Sequence, residues 1–364
     1  MVSSRHRRGT IKPASKRGVM EARSVDRLPT GETWQYEPKW DGFRCLLERR
    51  GSRVHMASKA GQDLGRYFPE VAEQALNLSE RDFLLDGELV VPEAKHFSFD
   101  RLLQRIHPAP SRIKRLSHET PALFIAFDLL RRAGRNFAAA KLDARRGVLE
   151  NFAARNFGRT RFRLSPASTK VSDARRWLEA AGSGCDGVIA KRRDLPYQFG
   201  NRDGMQKVKR YRSADCVIGG FRYGERLIKG RKVAGSLLLG LYDEDGLLHH
   251  IGFTSALKEN DKLKLTDLLE SAVTEASFTG TAPGGLSRWS TKRSADWVAV
   301  KPRLVVEVSY DHFTDGRFRH GTSILRWRPD KSPRQCTFVQ LRQTSALPAR
   351  LLRGAADAAA RKPR

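Results

Sequence analysis

The chain has 364 residues, of which 40% are hydrophobic and 30% charged, a balance that excludes an intrinsically disordered protein and fits one with a substantial core. Its apolar runs are shorter than a membrane span, which excludes an integral helical membrane protein. With 68 Lys and Arg against 40 Asp and Glu, the formal net charge is +28, which favours a polyanionic partner such as nucleic acid over a merely solvated basic surface.

Residues 1–19 hold several basic and no acidic side chains and predict a flexible basic arm. From residue 20 to 211, short strand-like runs alternate with helical patterns, which predicts an α+β domain built largely on antiparallel sheet. The predicted strands are 33–36, 43–48, 53–57, 83–91 and 123–130. The predicted helices are 69–76, 142–154 and 173–181, the last with Ser172 as its N-cap.

A basic connector follows Lys209, and we expect the domain boundary near Tyr211. The second domain, residues 212–344, has predicted strands at 215–222, 235–242, 247–253 and 297–310 and one helix at 258–272. These elements predict a small β-barrel of the OB-fold type, although the number of strands alone does not separate it from other small barrels. Residues 345–364, rich in Ala and Arg, predict a basic tail.

The four cysteines have no zinc-ligand spacing and predict reduced, buried thiols. They are Cys45, Cys185, Cys216 and Cys336. No apolar segment follows the basic amino terminus as it would in a secretory signal. Together these features predict a cytoplasmic, nucleoid-associated protein.

The segment Glu-Pro-Lys-Trp-Asp-Gly-Phe-Arg contains the candidate nucleophile Lys39. A lysine becomes nucleophilic only when desolvation or nearby cations lower its pKa. We expect Trp40 to exclude water and Arg44, Lys207 and Lys209 to supply positive charge, while the Asp-Gly turn lets the backbone approach a ligand. Alone, the segment fits an exposed lysine before a surface turn equally well.

Six further segments follow in order and supply hydroxyl, carboxylate, aromatic and cationic side chains. They are residues 58–61, 85–89, 127–130, 186–191, 205–209 and 326–331. Taken singly, each is weak, since Glu88 also fits a solvated strand edge and Phe127 a core position. Their fixed order together is what favours a nucleotide site.

With these segments, residues 20–342 resemble the covalent nucleotidyltransferases, which comprise ATP-dependent DNA ligases, RNA ligases and mRNA capping enzymes, and the DNA ligases most closely. The run from Met205 to Arg222 resembles the small bacterial ligases called ligase C, relatives of the ligase domain of ligase D. The resemblance implies an adenylation domain followed by an OB-fold domain, without an attached polymerase, nuclease or large amino-terminal DNA-binding module.

The resemblance also implies roles for individual residues, with Lys39 carrying AMP as lysyl-AMP. The implied ATP contacts are Glu37 to the adenine amine, Arg44 and Glu88 to the ribose, Phe127 stacked on the base, Lys207 and Lys209 at the α-phosphate, Lys59 near the nick phosphate or ribose, Arg202 at a phosphate, and Arg328, Asp330 and Lys331 over the triphosphate. Asp186 and Glu88 would hold Mg²⁺ or Mn²⁺. Many ligases have Glu where this chain has Asp186, which is expected to shift metal geometry without abolishing activity. Met205 replaces a common Trp and marks the ligase C group.

The implied function is ATP-dependent sealing of nicks between 3′-hydroxyl and 5′-phosphate ends during DNA repair. We expect a monomer that binds nicked double-stranded DNA, with DNA-repair proteins as further candidate partners. The second domain is expected to close over ATP and then turn away about a hinge near Tyr211. Two alternatives stay open, an RNA ligase or capping-type guanylyltransferase and a non-catalytic nucleic-acid-binding protein.

Overall fold

The computed structural model of the protein describes residues 18–94, 96–182, 184–284, 296–319, 321–341 and 352. The chain divides into unit 1, which comprises Met1–Arg210 and Thr344–Arg364, and unit 2, which comprises Tyr211–Gln343. The division lies beside the boundary expected near Tyr211. Apart from residues 18, 19 and 352, the expected basic arm and basic tail lie outside the described residues.

Unit 1 combines two large β-sheets and one two-stranded sheet with helices. Its strands are β1 (Arg23–Ser24), β2 (Trp34–Trp40), β3 (Phe43–Arg50), β4 (Arg53–Ser58), β5 (Asp82–Val90), β6 (Pro92–Glu93), β7 (His96–Phe97), β8 (Leu123–Arg132), β9 (Arg135–Asn136), β10 (Phe162–Leu164), β11 (Cys185–Arg192) and β12 (Met205–Lys209). Its helices are α1 (Pro69–Asn77), α2 (Phe99–Gln104), α3 (Pro110–Glu119), α4 (Leu142–Asn156) and α5 (Val171–Glu179). Sheet A has the strand order β1-β12-β11-β2, and sheet B has the order β10-β8-β5-β3-β4. The pairings are antiparallel as expected, except that β1 runs parallel to β12 and β10 parallel to β8.

The apolar faces of the two sheets determine where the site lies. Leu46 and Leu84 of sheet B share one buried cluster with Met205 of sheet A, so the two sheets pack against each other. The outer face of sheet A packs on α5 through Tyr36 and Val188. Because side chains alternate along a strand, the odd-numbered residues of β2 and β11 point to the side between the sheets.

Two local predictions in unit 1 were wrong. Strand β2 continues to Trp40, beyond its predicted end at residue 36, so Lys39 lies within a strand. The strand tolerates Pro38 because β2 is the edge strand of sheet A, where a missing N–H breaks no ladder on the open side. Helix α5 begins at Val171 with Lys170 at its N-cap, which places Ser172 inside the helix.

Unit 2 is a β-barrel with one α-helix among its described residues. Its strands are β13 (Arg212–Ile228), β14 (Arg231–Tyr242), β15 (Leu248–Thr254), β16 (Val298–Ala299), β17 (Val305–Tyr310), β18 (Phe313–Thr314), β19 (Arg317–Phe318) and β20 (Ser323–Trp327), and its helix is α6 (Lys262–Glu270). The main sheet has the order β15-β14-β13-β17-β20. Its two ends meet where the Thr254 hydroxyl donates to the carbonyl oxygen of Thr322 at 2.8 Å. This closed arrangement is consistent with the expected OB-fold. The strand predicted at 297–310 is interrupted and forms β16 and β17.

The basic segment at residues 222–232 forms the β13–β14 hairpin, and acidic residues of unit 2 pair with its cations. Arg231 contacts Asp267 and Glu270 of α6 at 2.6 and 2.5 Å. Arg226 lies 3.8 Å from Glu259. Part of the hairpin charge is therefore compensated within the unit. No helix in the described part of the chain has the length and hydropathy needed to cross a membrane.

Candidate active site

Lys39 lies on β2 in the middle of a row of functional side chains. Strand β11 pairs with both β2 and β12, so that Gly187 is opposite Lys39 on one side and Lys209 on the other. Two residues along, Ile189 is opposite Glu37 and Lys207. Three segments that are distant in sequence thus place their charged side chains on the same side of sheet A.

Asp186 reaches Lys39 because β11 is irregular at this point. The pairing shifts between Cys185 and Gly187, which leaves Asp186 as an extra residue opposite the β2 strand. Such a bulge re-aims a side chain that would otherwise follow the regular alternation. The Lys39 Nζ lies 2.8 Å from Asp186 Oδ1 and donates to Oδ2 at 3.0 Å.

The expected depression of the Lys39 pKa is wrong for this arrangement. Burial lowers the pKa of Lys39, but the charge and hydrogen bond of Asp186, with the charges of Asp41 and Glu88, raise it above the usual lysine value overall. The cationic neighbours do act on Lys207, whose pKa is lowered by burial and by the charges of Lys39 and Lys209. Lys39 is therefore an ammonium paired with a carboxylate, and it must lose this proton before it can react.

Gly42 in the Lys39 segment allows a close approach between two strands. A Cβ at this position would lie 2.1 Å from the carbonyl oxygen of Leu89 and 2.9 Å from Cγ of Glu88. Glycine is thus required where the β2–β3 connection packs against β5. This packing brings Glu88 towards Lys39 and so helps to form the pocket.

One pocket collects most of the predicted ATP-binding residues of unit 1. Its predicted members are Glu37, Lys39, Arg44, Lys59, Glu88, Phe127 and Lys207, and Trp40 and Met205 line it as well. Asp186 and Lys209 join this group through Lys39, since Lys209 also lies 3.4 Å from Asp186. The sequence prediction therefore identified a set of residues that the fold brings together.

At the end of the pocket that contains Phe127, a buried lysine was missed by the sequence analysis. Lys191 donates to Glu37 Oε2 at 2.8 Å and lies 4.5 Å from the centre of the Phe127 ring. Gln35 donates to the other carboxylate oxygen of Glu37 at 2.8 Å. Lys191 is the last residue of the candidate segment 186–191. It lies two residues after Ile189 on the same strand, and this spacing could have indicated that both share a face with Glu37.

Arg44 is held in place by two further residues that the sequence analysis did not select. Its Nε and Nη2 donate to Asp86 Oδ1 and Oδ2 at 2.8 and 2.6 Å, and the Tyr197 hydroxyl donates to Oδ2 at 2.5 Å. The guanidinium also lies 5.0 Å from the centre of the Phe127 ring. Asp86 belongs to the candidate segment 85–89, whereas Tyr197 lies in none of the candidate segments.

Glu88 lies opposite Arg44 in the β3–β5 ladder. Burial raises the pKa of Glu88 to about 8, against the lowering effect of Arg44 and Lys39. The side chain is therefore mostly protonated at neutral pH, when it is able to donate a hydrogen bond, for example to a ribose oxygen.

At the rim of the pocket, Glu21 joins two of the predicted phosphate contacts. Its Oε2 lies 3.1 Å from Lys59 Nζ and 3.2 Å from Arg202 Nη2. The hydrogen bond from Lys59 is the main cause that lowers the pKa of Glu21. Glu21 has no signal in the sequence, because it precedes the first recognised segment.

Asp186 suits a divalent cation better than Glu88 does. Asp186 offers a buried carboxylate among Lys39 and Lys209, and Mg²⁺ prefers such oxygens together with phosphate and water ligands. Glu88 would first have to lose the proton that its raised pKa retains. Asp186 therefore fits the ion directly, and Glu88 fits it only when ionised.

The three predicted residues of unit 2 form their own cluster. Arg328 donates through Nε and Nη2 to Asp330 and through Nη1 to Asp215 at 2.8 Å. Lys331 donates to the second oxygen of Asp215 at 2.5 Å. Asp215 was read as part of the ligase C-like run but was given no role.

Comparisons with known proteins agree on one family. The sequence model described as "ATP dependent DNA ligase domain" matches residues 20–209, and the one described as "ATP dependent DNA ligase C terminal region" matches residues 230–331. The chain is 41% identical over 337 residues to DNA ligase C2 of Mycolicibacterium smegmatis, which covers 88% of this chain and 93% of that protein. It is 33% identical over 304 residues to the multifunctional non-homologous end joining DNA repair protein LigD of Mycobacterium tuberculosis, covering 82% of this chain and 37% of that protein. A solved structure from a study of Lig E DNA ligases has a TM-score of 0.51 at 18% identity and covers 85% of this chain and 99% of that one, a likeness of fold.

Proposed function

The chain belongs to the ATP-dependent DNA ligase family and is an ATP-dependent DNA ligase, and we propose that Lys39 is the residue that carries AMP between ATP and the DNA. The observation that carries this proposal is the convergence of Lys39, Glu37, Glu88, Phe127 and Lys207 on one pocket. A nucleophile, an aromatic face, carboxylic acids and a cation are what adenylate transfer requires in one place.

In the proposed first step, Lys39 Nζ attacks the α-phosphorus of ATP. An N–P bond forms, the bond from the α-phosphorus to the bridging oxygen breaks, pyrophosphate leaves, and the Nζ ammonium loses two of its three protons to solvent, which leaves a neutral phosphoramidate N–H. Charge develops on the non-bridging and leaving oxygens, which Lys207 and Lys209 are placed to stabilise. Glu37 and Phe127 would bind the base, while Arg44 and Glu88 would hold the ribose.

Two transfers to DNA follow. An oxygen of the 5′-phosphate at a nick attacks the α-phosphorus of the lysyl-AMP, and the N–P bond breaks to regenerate Lys39. The 3′-hydroxyl then attacks the 5′-phosphorus, loses its proton and displaces AMP. Lys59 and Arg202 lie at the pocket rim with Glu21 and would contact the DNA phosphates.

Asp186 would hold Mg²⁺ or Mn²⁺ beside the α-phosphate, and the bound ion would withdraw charge from its oxygens. Asp186 also explains how Lys39 is activated. A carboxylate drawn away from Lys39 would no longer raise the pKa of the lysine, so the lowering effect of burial would favour its neutral form.

We assign the cluster of Arg328, Asp330 and Lys331 to the triphosphate, with the pyrophosphate as its target. Its support is the presence of two cations side by side on unit 2. We further assign the enzyme to nicked double-stranded DNA in repair, acting as a monomer in the cytoplasm at the nucleoid. The support for the role in repair is the similarity to a protein named for end joining and DNA repair.

Labelling with α-labelled ATP or GTP tests the proposal. The protein is expected to take up label from ATP, to lose uptake in Lys39→Ala, and to seal a nicked duplex. Lys39→Ala is expected to bind DNA normally and to seal a nick whose 5′-phosphate already carries AMP, because that reaction needs no lysyl-AMP. Label from GTP alone would indicate a guanylyltransferase, and unchanged uptake in Lys39→Ala would place the nucleophile elsewhere.

A nicked duplex, a nicked DNA–RNA hybrid and a blunt-ended duplex separate the remaining alternatives. Sealing of the nicked DNA duplex at the highest rate is expected. A preference for the hybrid strand with an RNA 3′-end would favour RNA ligation instead.

A further inference from the structure

Asp215 connects the two cations of the unit 2 cluster to a rigid part of the barrel. Its two carboxylate oxygens accept separately, one from Arg328 Nη1 at 2.8 Å and the other from Lys331 Nζ at 2.5 Å. Arg328 and Lys331 lie in the turn after β20, where the Lys331 N–H donates to the Arg328 carbonyl at 3.2 Å. The turn thus contributes the cations, and β13 contributes the group that orients them.

The side chain of Gln340 hydrogen-bonds to both backbone polar groups of Asp215. Gln340 accepts from the Asp215 N–H at 2.8 Å and donates to its carbonyl oxygen at 3.0 Å. Asp215 also pairs with Glu307 in the β13–β17 ladder and is 8% exposed. A carboxylate held this firmly defines one position for each cation, whereas long basic side chains at a surface otherwise sample many rotamers.

The charges that hydrogen-bond within the cluster balance, and the nearby Glu307 also acts on Arg328. Two cations, Arg328 and Lys331, face two carboxylates, Asp215 and Asp330. Arg328 and Lys331 still have N–H groups that none of these hydrogen bonds uses, because guanidinium has five donors and ammonium three. Asp215 therefore leaves part of each cation available for an anion while it fixes the rest.

We propose that Asp215 is a positioning residue for the first transfer, and that it presents Arg328 and Lys331 to the pyrophosphate as the bond to the α-phosphorus breaks. This inference rests on the proposed function of the cluster. It concerns only the step that releases pyrophosphate, since neither later transfer involves a triphosphate.

The test compares Asp215→Asn with a matched control. Asp243→Asn, between β14 and β15, likewise removes one charge, and it changes the 2.7 Å contact with His249, a residue outside the proposed machinery. Two reactions are measured for the full-length protein, single-turnover uptake of AMP over a range of ATP concentrations and sealing of a pre-adenylated nick without ATP.

In Asp215→Asn, the saturating rate of AMP uptake is expected to fall about 10- to 100-fold because the cations are misplaced. The sealing of the pre-adenylated nick is expected to change by less than about threefold, because that reaction involves no triphosphate. Asp243→Asn is expected to match the wild type in both reactions. Asp215→Glu keeps the charge and is expected to fall between the wild type and the Asn variant.

Several results would overturn the inference. They are wild-type AMP uptake in Asp215→Asn, an equal loss in both reactions, a similar loss in Asp243→Asn, or an Asp215→Glu variant no better than Asp215→Asn. If Asp215→Asn does not fold, Asp215→Glu decides by the same two rates, slowed AMP uptake with normal sealing being the supporting result. Failure of wild-type labelling would instead contradict the proposed function itself.

Discussion

Lys39 and Asp186 form an ion pair across β2 and β11, although 147 positions separate them in the sequence. The pair keeps Lys39, the proposed nucleophile, protonated. It also engages Asp186, the carboxylate best suited to a divalent cation. In the proposed mechanism, lysine activation and metal binding would both depend on Asp186.

Replacement of Asp186 by Asn should uncouple these two roles. The variant lacks a charged oxygen for Mg²⁺, so the rate of AMP uptake at limiting metal should fall about 10- to 100-fold. The Mg²⁺ concentration that gives the half-maximal rate should rise. Titration of AMP uptake with Mg²⁺ measures both effects. Asp186→Glu should retain most activity, and an Asn variant with an unchanged metal requirement would exclude Asp186 as a ligand.

Replacement of Lys191 by Met should affect both stability and ATP binding. It leaves the buried Glu37 carboxylate without its cation, which is expected to cost about 3 kcal/mol of unfolding free energy. Urea unfolding and the ATP dependence of AMP uptake measure the two effects. The control is Arg192→Met, which breaks the exposed neighbouring pair with Asp194 and should change neither quantity appreciably. Equal effects in the two variants would argue against a special role for the buried pair.

Replacement of Gly42 by Ala should damage the pocket through the backbone. The new Cβ would meet the Leu89 carbonyl oxygen at 2.1 Å, and relief of this clash is expected to cost about 3 kcal/mol and to displace Glu88. Gly147→Ala in α4 is the control, because no atom lies within 4 Å of its added Cβ and alanine favours a helix. Thermal unfolding of both variants gives the comparison, and a Gly42→Ala protein as stable as Gly147→Ala would refute the packing argument.

His250 should make unit 2 sensitive to acid. Burial beside Phe278, together with the charges of Arg317 and Arg222, lowers the pKa of His250 from 6.5 to about 3. The unfolded chain takes up a proton near pH 6.5 and the folded ring only near pH 3, so the stabilisation is complete above pH 6.5 and declines as the pH falls towards 3. By pH 5 the loss should be about 2 kcal/mol.

Urea unfolding at pH 7.5 and 5.0 measures this difference. His250→Leu should remove that part of the pH dependence, while His55→Gln, at an exposed position of β4, should retain it. The same pH dependence in wild type and His250→Leu would show that other groups cause the acid sensitivity.

The sequence predicted which side chains line the pocket better than it predicted the pKa of Lys39. Short segments identified Lys39, Glu88, Phe127 and Lys207, because each lies at a strand or turn with a recognisable local pattern. The direction of the Lys39 pKa shift was wrong because it depends on a bulge at Asp186, and bulges arise from long-range strand pairing that no local pattern specifies.

Positions defined by tertiary contacts were missed for the same reason. Tyr197 and Glu21 are ordinary residues in sequence, and only the fold brings them to Asp86 and Lys59. The predicted end of β2 at residue 36 was wrong, because the strand continues through Pro38 at an edge position that tolerates proline.

The pairing of the β13–β14 hairpin with α6 changes what the formal charge of +28 means for DNA binding. Arg231 already has Asp267 and Glu270 as counter-ions, so a DNA phosphate that binds it frees protein carboxylates, and these take up dissolved cations that offset part of those released from the DNA. Affinity for DNA should therefore depend less steeply on salt concentration than a count of the basic side chains at the interface implies. The enzyme would then lose less of its affinity for nicked DNA as the ionic strength rises.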